Sequence, residues 1–158
     1  MKLLSLLLCC FIAMKSCGTV DGSKQNHTSV DSETSQIPTE NMITFEYTAT
    51  TRGSYHKIRV IKNMIVVSKK RGKPGAPVIL EASEWEKLKN LLESVPLDDI
   101  KTLKAPSKHF AFDGAAKASL KMTSNEKTYV TPPFDHGNPP QTIAPLVKEL
   151  LSISENIE

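Results

Sequence analysis

The segment 132–140 concentrates side chains that could do chemistry. It reads Pro-Pro-Phe-Asp-His-Gly-Asn-Pro-Pro, so that Asp135 directly precedes His136. Asp113 follows a phenylalanine in an earlier segment, and His109 lies near it in sequence. A carboxylate that holds an imidazole is a common general base, and the same oxygen and nitrogen atoms are metal ligands. Convergence of Asp113, Asp135 and His136 would therefore indicate a hydrolytic or metal-dependent enzyme.

Ordinary turn chemistry accounts for the same segment. Asp135 can cap a turn, Gly137 can take a positive φ, and Asn138 with its flanking prolines can set the approach to the last helix. The sequence contains no His-Glu-x-x-His pattern, no Gly-x-Ser-x-Gly turn and no glycine-rich phosphate loop. A rigid loop is therefore favoured over a catalytic one, and neither a metal nor a cofactor is predicted.

A run of basic residues forms a second candidate surface. Eight basic residues and no acidic one lie between Tyr47 and Leu80, and Lys69, Lys70 and Arg71 are consecutive. Such a hairpin would attract anionic lipid headgroups, acidic glycans or nucleic acid. It lacks interleaved aromatic residues for base stacking, so nucleic acid is not expected. The alternative, which the sequence favours, is that these lysines solvate strand faces and blunt an exposed edge.

All three cysteines lie within the first seventeen residues. The chain begins with Met1 and Lys2, continues with an apolar run over residues 3–14, and then reaches Cys17. A basic start, an apolar core of about 7–15 residues and a small residue before the cut make up an export signal. As a helix the run would be roughly 18 Å long against roughly 30 Å of hydrocarbon, too short to span a membrane. Residues 1–16 are therefore predicted to be a signal peptide.

Met14, Ser16 and Cys17 resemble the lipobox of bacterial lipoproteins. That motif has an apolar residue three places before an invariant cysteine and a small residue directly before it; Lys15 stands where small or uncharged residues are usual. The resemblance implies that Cys17 becomes the mature N-terminus and carries lipid on its sulfur and its amine. Several acyl chains would hold the protein on a membrane almost permanently, since each buried methylene contributes about 0.8 kcal/mol. Plain secretory cleavage after Gly18, which would release a soluble protein, is the alternative.

The remainder of the chain divides into a tether and a body. Residues 17–41 are predicted to be the lipidated N-terminus and a disordered tether, because isolated apolar residues among polar ones cannot offset the entropy of ordering. Residues 42–158 have the length of one small domain. This body has no cysteine, which excludes thiol catalysis and iron–sulfur clusters within it. Once Lys2 and Lys15 are removed, 18 basic residues face 17 acidic ones, so the mature chain is almost neutral.

Hydrophobic patterning predicts the elements of the body. Segments with strand-like patterning are 43–50, 56–62, 64–69, 116–123 and 127–131, with 78–80 as a further short candidate. A helix is predicted behind a capping box of Ser83 and Glu86, and Pro96 ends it. A last helix is predicted to start near Thr142, since Pro145 is tolerable only in a first turn.

The order of these elements predicts an α+β fold. Three strands, a helix, two strands and a helix are joined by hairpin-length links, which favours an antiparallel β-sheet of about five strands packed on two helices. The arrangement resembles small envelope lipoproteins of bacteria. That resemblance implies a location on a membrane of the cell envelope, at the outer membrane or the periplasmic face, but no activity.

Three functional hypotheses follow. The favoured one, because no catalytic signature is present, is a non-enzymatic lipoprotein that is anchored to the membrane through Cys17 and binds an envelope protein or an anionic polymer. The second is a metal-dependent or hydrolytic enzyme that uses Asp113, Asp135 and His136. The third is an inhibitor or immunity module that presents the 132–140 loop to a partner.

Overall fold

The computed structural model describes residues 42–157. The predicted signal peptide, Cys17 and the predicted tether lie outside the described residues. In the described part of the chain, strands and helices share one hydrophobic core.

Seven strands form a single antiparallel sheet. Their bounds are β1 Thr44–Thr50, β2 Tyr55–Ile61, β3 Met64–Ser68, β4 Pro77–Ile79, β5 Lys117–Ser124, β6 Lys127–Val130 and β7 Phe134–Asp135. The spatial order is β4-β3-β2-β1-β5-β6, and β7 pairs with β5 beyond the end of β6. Short turns join β1 to β2, β2 to β3 and β5 to β6, so neighbours in sequence become antiparallel neighbours in the sheet.

Two α-helices complete the fold, α1 Ala82–Glu93 and α2 Ala144–Ile157. Single 3₁₀ segments occupy Leu97–Thr102, His109–Phe112 and Gln141–Ile143. The predicted α+β class, with an antiparallel sheet and two helices in the predicted order, is confirmed. Besides the five predicted strands, the sheet includes β4, close to the short candidate 78–80, and the two-residue β7.

The predicted capping box of α1 is wrong by two residues. The helix begins at Ala82, and the Glu84 carboxylate accepts the backbone N–H of Glu81 at 3.0 Å. Ser83 therefore lies inside the first turn instead of before it. The motif itself is the one predicted, since in a capping box the carboxylate at the third helical position accepts the backbone N–H of the capping residue. The residues that form it are Glu81 and Glu84 instead of Ser83 and Glu86.

Both helices cover the same face of the sheet. The side chains of Phe45, Tyr47 and Ala49 alternate with partly exposed ones along β1 and are buried. Register aligns them with buried residues of β2 and β5, for example Tyr47 with Ile58 and Leu120. The buried stripe of α2, which includes Leu146 and Leu150, belongs to the same core. Alternation along the long strands, most regular in β1 and β5, thus separates a core face from an opposite face.

The opposite face, called the outer face here, is open in the described part of the chain. Register places Arg59, Glu46 and Lys121 side by side in one row across β2, β1 and β5. The next rows contain Lys57 with Thr48, and Lys117 with Thr50. These side chains are half-buried or exposed. The sheet therefore has one apolar face under the helices and one polar face that is available to a partner.

Candidate functional site

Asp135 is buried and fully engaged with a distant loop. Its Oδ2 accepts the Ser107 hydroxyl at 2.5 Å and the backbone N–H of His109 at 3.0 Å. Its Oδ1 accepts the backbone N–H of Phe110 at 2.7 Å. The side chain is only 4% exposed. Asp135 therefore fastens the start of the 3₁₀ segment His109–Phe112 to β7, as a cap across more than twenty residues of sequence.

These contacts also set the charge of Asp135. Burial alone would raise the pKa of its carboxyl. The hydrogen bonds from Ser107, Phe110 and His109, helped by the His109 ring at 3.6 Å, outweigh burial and hold the pKa below its ordinary value. Asp135 is therefore ionised at neutral pH, and its oxygens are occupied by protein donors.

His136 bonds to a different partner. Its Nδ1 lies 2.6 Å from the hydroxyl of Tyr47, a fully buried residue of β1. Burial raises the pKa of Tyr47 well above its usual range, although the backbone of Gly137 partly opposes this. Burial also lowers the pKa of His136, and the nearby His56 lowers it further. In the neutral tautomer that carries its proton on Nε2, the Nδ1 of His136 accepts the hydrogen bond from the Tyr47 phenol.

Asp113 belongs to neither arrangement. It ends the 3₁₀ segment with a left-handed φ of 58°. Its carboxylate lies 3.6 Å from a guanidinium nitrogen of Arg52, and both side chains are highly exposed. Within residues 42–157, no group of three or more His, Cys, Asp or Glu residues could hold a metal ion. The geometry brings Asp135 to His109, but it gives no support to a shared site of Asp113, Asp135 and His136.

Three participants in the loop contacts were missed by sequence reasoning. Tyr47 lies on the core side of β1, and His56 packs its ring edgewise against that of His136, with centroids 6.2 Å apart. Ser107 receives the Asn138 side chain, whose Nδ2 donates to the hydroxyl at 2.7 Å. A polar aromatic residue at a core position was a signal for Tyr47. Ser107 gave no comparable signal, because it lies in an irregular segment.

The 132–140 loop offers few side chains to a partner. Phe134 is fully buried, and Asp135 is turned inward. Pro133 is exposed, and so are His136, Gly137 and Asn138 at the tip. The hypothesis that this loop is presented as an inhibitor stays a prediction that now depends on these four residues.

The outer face carries most of the basic residues predicted as a candidate surface. Lys57 pairs with Glu46, Nζ to Oε2 at 3.1 Å. Arg59, Lys117 and Lys121 are exposed on the same face, and no ion pair forms at them among the described residues. The face therefore has an excess of positive charge with a single acidic residue in its central rows.

The three consecutive basic residues divide between two surfaces. Lys70 lines a groove on the outer face, and the Arg71 guanidinium lies 5.1 Å from the ring centroid of Tyr55 on that face. Lys69 lines a separate depression together with Val67 and Ile157 on the helical side, and Lys70 lines the edge of this depression as well as the groove. Lys70 and Arg71 thus extend the positive outer face, whereas Lys69 does not join Arg71 there.

Comparisons with protein-family profiles, curated proteins and solved structures found no match. No helix among residues 42–157 is long and apolar enough to cross a membrane.

Proposed function

We propose that this protein is a non-enzymatic binding module of the bacterial cell envelope, and that the outer face of its sheet binds an anionic polymer. The observation that carries this proposal is the collection of unpaired cations on the sheet face that no helix of the described body covers. The lipid anchor at Cys17 is a separate part of the proposal and is supported by the lipobox resemblance alone.

Charge favours an anionic ligand. Arg59 of β2 and Lys121 of β5 flank the carboxylate of Glu46 on β1, and Lys117 lies further along β5 opposite Thr50. Cations on a common surface raise the local concentration of a polyanion, and salt weakens their effect. The threonines and serine between them, for example Thr48 and Ser119 in one row, add hydroxyl donors for sugar or phosphate oxygens.

The loop chemistry supports a non-enzymatic function. A general base needs a lone pair within reach of a substrate proton. The Asp135 oxygens are occupied by backbone and serine donors, and the Nδ1 of His136 accepts the Tyr47 hydroxyl. Asp135 and His136, two of the three residues first considered for catalysis, thus stabilise the fold, and the third, Asp113, makes an exposed ion pair with Arg52.

Titration with a polyanion tests the proposal. The full chain is titrated with inorganic polyphosphate, and the affinity is compared with that of Lys117→Gln/Lys121→Gln. The matched control, Lys101→Gln/Lys148→Gln, removes the same charge from a 3₁₀ segment and from α2. We expect the outer-face variant to lose about tenfold or more in affinity, roughly 1.4 kcal/mol, and the control to lose less than about threefold. Equal losses in both variants, or no binding by the parent chain, would overturn the proposal.

A further inference from the structure

The outer face contains a groove with an apolar floor and positive walls. Its floor is formed by Ile61 of β2 and by Met64 and Val66 of β3, and register pairs Ile61 with Met64. Lys57 and Arg59 lie along one side. The volume is about 340 Å³, which is at the lower end for a small-molecule site.

The connection between β3 and β4 builds the other wall. Lys70 and Lys73 form an isolated antiparallel bridge, with the Lys73 N–H bound to the Lys70 carbonyl at 3.2 Å, and both line the groove. Gly75 then returns to β3, where its N–H donates to the Val67 carbonyl at 3.0 Å. A Cβ at Gly75 would lie 2.1 Å from that carbonyl oxygen, so glycine permits the close approach. These backbone contacts hold this wall of the groove in place without a ligand.

The walls of the groove carry more positive charge than the neighbouring carboxylate neutralises. Glu46 neutralises Lys57, at 3.1 Å. Among the described residues, no ion pair forms at Arg59, Lys70 or Lys73. Three unpaired cations beside an apolar floor form an arrangement that neither a purely polar nor a purely apolar ligand would match.

We propose that this groove binds a single-chain amphiphile with an anionic head, its phosphate or carboxylate between Lys70, Lys73 and Arg59 and its apolar chain on Met64 and Val66. This inference deepens the proposed function and rests on it, since the groove is part of the outer face. The charge of the walls selects an anion, and the floor excludes water from the chain.

Dodecyl phosphate, kept below its micelle concentration, is the probe. The full chain carrying Cys17→Ser is titrated calorimetrically without detergent. We expect one-to-one binding that is at least tenfold tighter than binding of inorganic phosphate, which lacks the tail, or dodecyltrimethylammonium, which reverses the charge. Equal affinity for the two dodecyl compounds would contradict the role of the walls, and equal affinity for phosphate would contradict the role of the floor.

Groove variants locate the binding site. Lys70→Gln/Lys73→Gln and Met64→Gln/Val66→Thr should each weaken dodecyl phosphate binding at least tenfold, whereas Lys101→Gln/Lys148→Gln should not. Unfolding curves identify any variant that fails to fold, and the conservative Lys70→Arg/Lys73→Arg should restore binding. Unchanged affinity in both groove variants would overturn the inference.

Two further measurements separate binding of an amphiphile in the groove from binding of a polyanion to the outer face and from binding to a bilayer. Polyphosphate binding that persists while dodecyl phosphate does not bind would refute the groove ligand and leave the proposed function standing. Phosphatidylglycerol vesicles distinguish a bilayer from a monomeric amphiphile. Sedimentation with vesicles in the absence of any monomer binding would also overturn the inference.

Discussion

Asp135 and His136 are neighbours in sequence but serve different parts of the molecule. The carboxylate of Asp135 holds the 107–110 segment, and the ring of His136 holds the Tyr47 hydroxyl. Adjacent residues of an extended segment point to opposite sides, so a pair that reads as a catalytic dyad is divided between two structural contacts. The turn-capping interpretation of Asp135 agrees with these contacts, but its partners could not be found from sequence.

At this scale we expect Asp135→Ala to lower the melting temperature by about 5–10 °C, because it leaves the Ser107 hydroxyl and two backbone N–H groups without their acceptor. Thermal unfolding followed by circular dichroism measures the change. Asp113→Asn is the control, because it removes the exposed ion pair with Arg52 and keeps a residue type that tolerates the left-handed φ, so we expect a change of about one degree or less. A large effect at Asp113 with none at Asp135 would refute the assignment of Asp135 as the structural carboxylate.

The histidine contact predicts an acid-sensitive stability. The pKa of His136 is lowered by folding, so the unfolded chain binds its proton first. Its contribution is complete above the unfolded value of about 6.5 and is lost as pH falls from there through the folded value. The lowered pKa of Asp135 adds a loss at more acidic pH, below about 3.9.

Urea unfolding between pH 7.5 and 4.5 tests this expectation. The parent chain should lose stability as pH falls through this window, and His136→Gln should lose less because that position no longer titrates. An identical pH dependence in both proteins would show that His136 is not the responsible group.

Tyr47→Phe should lower the free energy of unfolding at pH 7.5, since it removes the hydrogen-bond donor to His136. The same urea unfolding experiment measures this change.

Local patterning predicts the presence of a strand or helix more reliably than it predicts the residues at which that element begins and ends. The long strands and both helices were predicted because their apolar residues recur with strand or helix periods. The start of α1 was displaced because Ser83 and Glu86 have the right spacing for a capping box, as do Glu81 and Glu84. The two residues of β7 carry no periodic signal, and their pairing with Lys117 and Ala118 depends on tertiary contacts.

The connection between β3 and β4 gives the prediction at the scale of elements. Gly75→Ala should lower the free energy of unfolding by about 1–3 kcal/mol, because the added methyl meets the Val67 carbonyl and the loop must move. Gly53→Ala is the matched control, since nothing lies within 4 Å of a Cβ there. Urea unfolding of both variants compares them. Equal stability losses would show that the close approach at Gly75 is not a constraint.

Both helices cover the same face of this sheet. The core face receives α1 and α2, and the cations therefore collect on the other face by alternation along the strands. Sequence reasoning found the basic run and judged it a solvated strand face. The local pattern does not show that Lys117 and Lys121, about sixty residues after Arg59, lie on the same face of the sheet, with Lys121 separated from Arg59 by Glu46 alone. That juxtaposition depends on the pairing of β1 with β5, which closes a long loop.

The proposed membrane attachment of the whole molecule is tested by substituting Cys17. Cys17→Ser should move the protein from the membrane fraction to the soluble fraction in the source cells and remove the mass of the attached acyl chains. Fractionation and intact-mass spectrometry measure the two effects. A parent protein without added mass would instead favour cleavage after Gly18 and secretion.

The most direct test of the central claim maps the binding surface residue by residue. Backbone amide NMR signals of the full chain are followed during titration with short-chain polyphosphate. We predict that the shifts cluster on Lys57, Arg59, Lys117 and Lys121, and that they decrease as salt is added. Shifts confined to the 132–140 loop or to the helices, or no shifts at all, would contradict a binding function for the outer face.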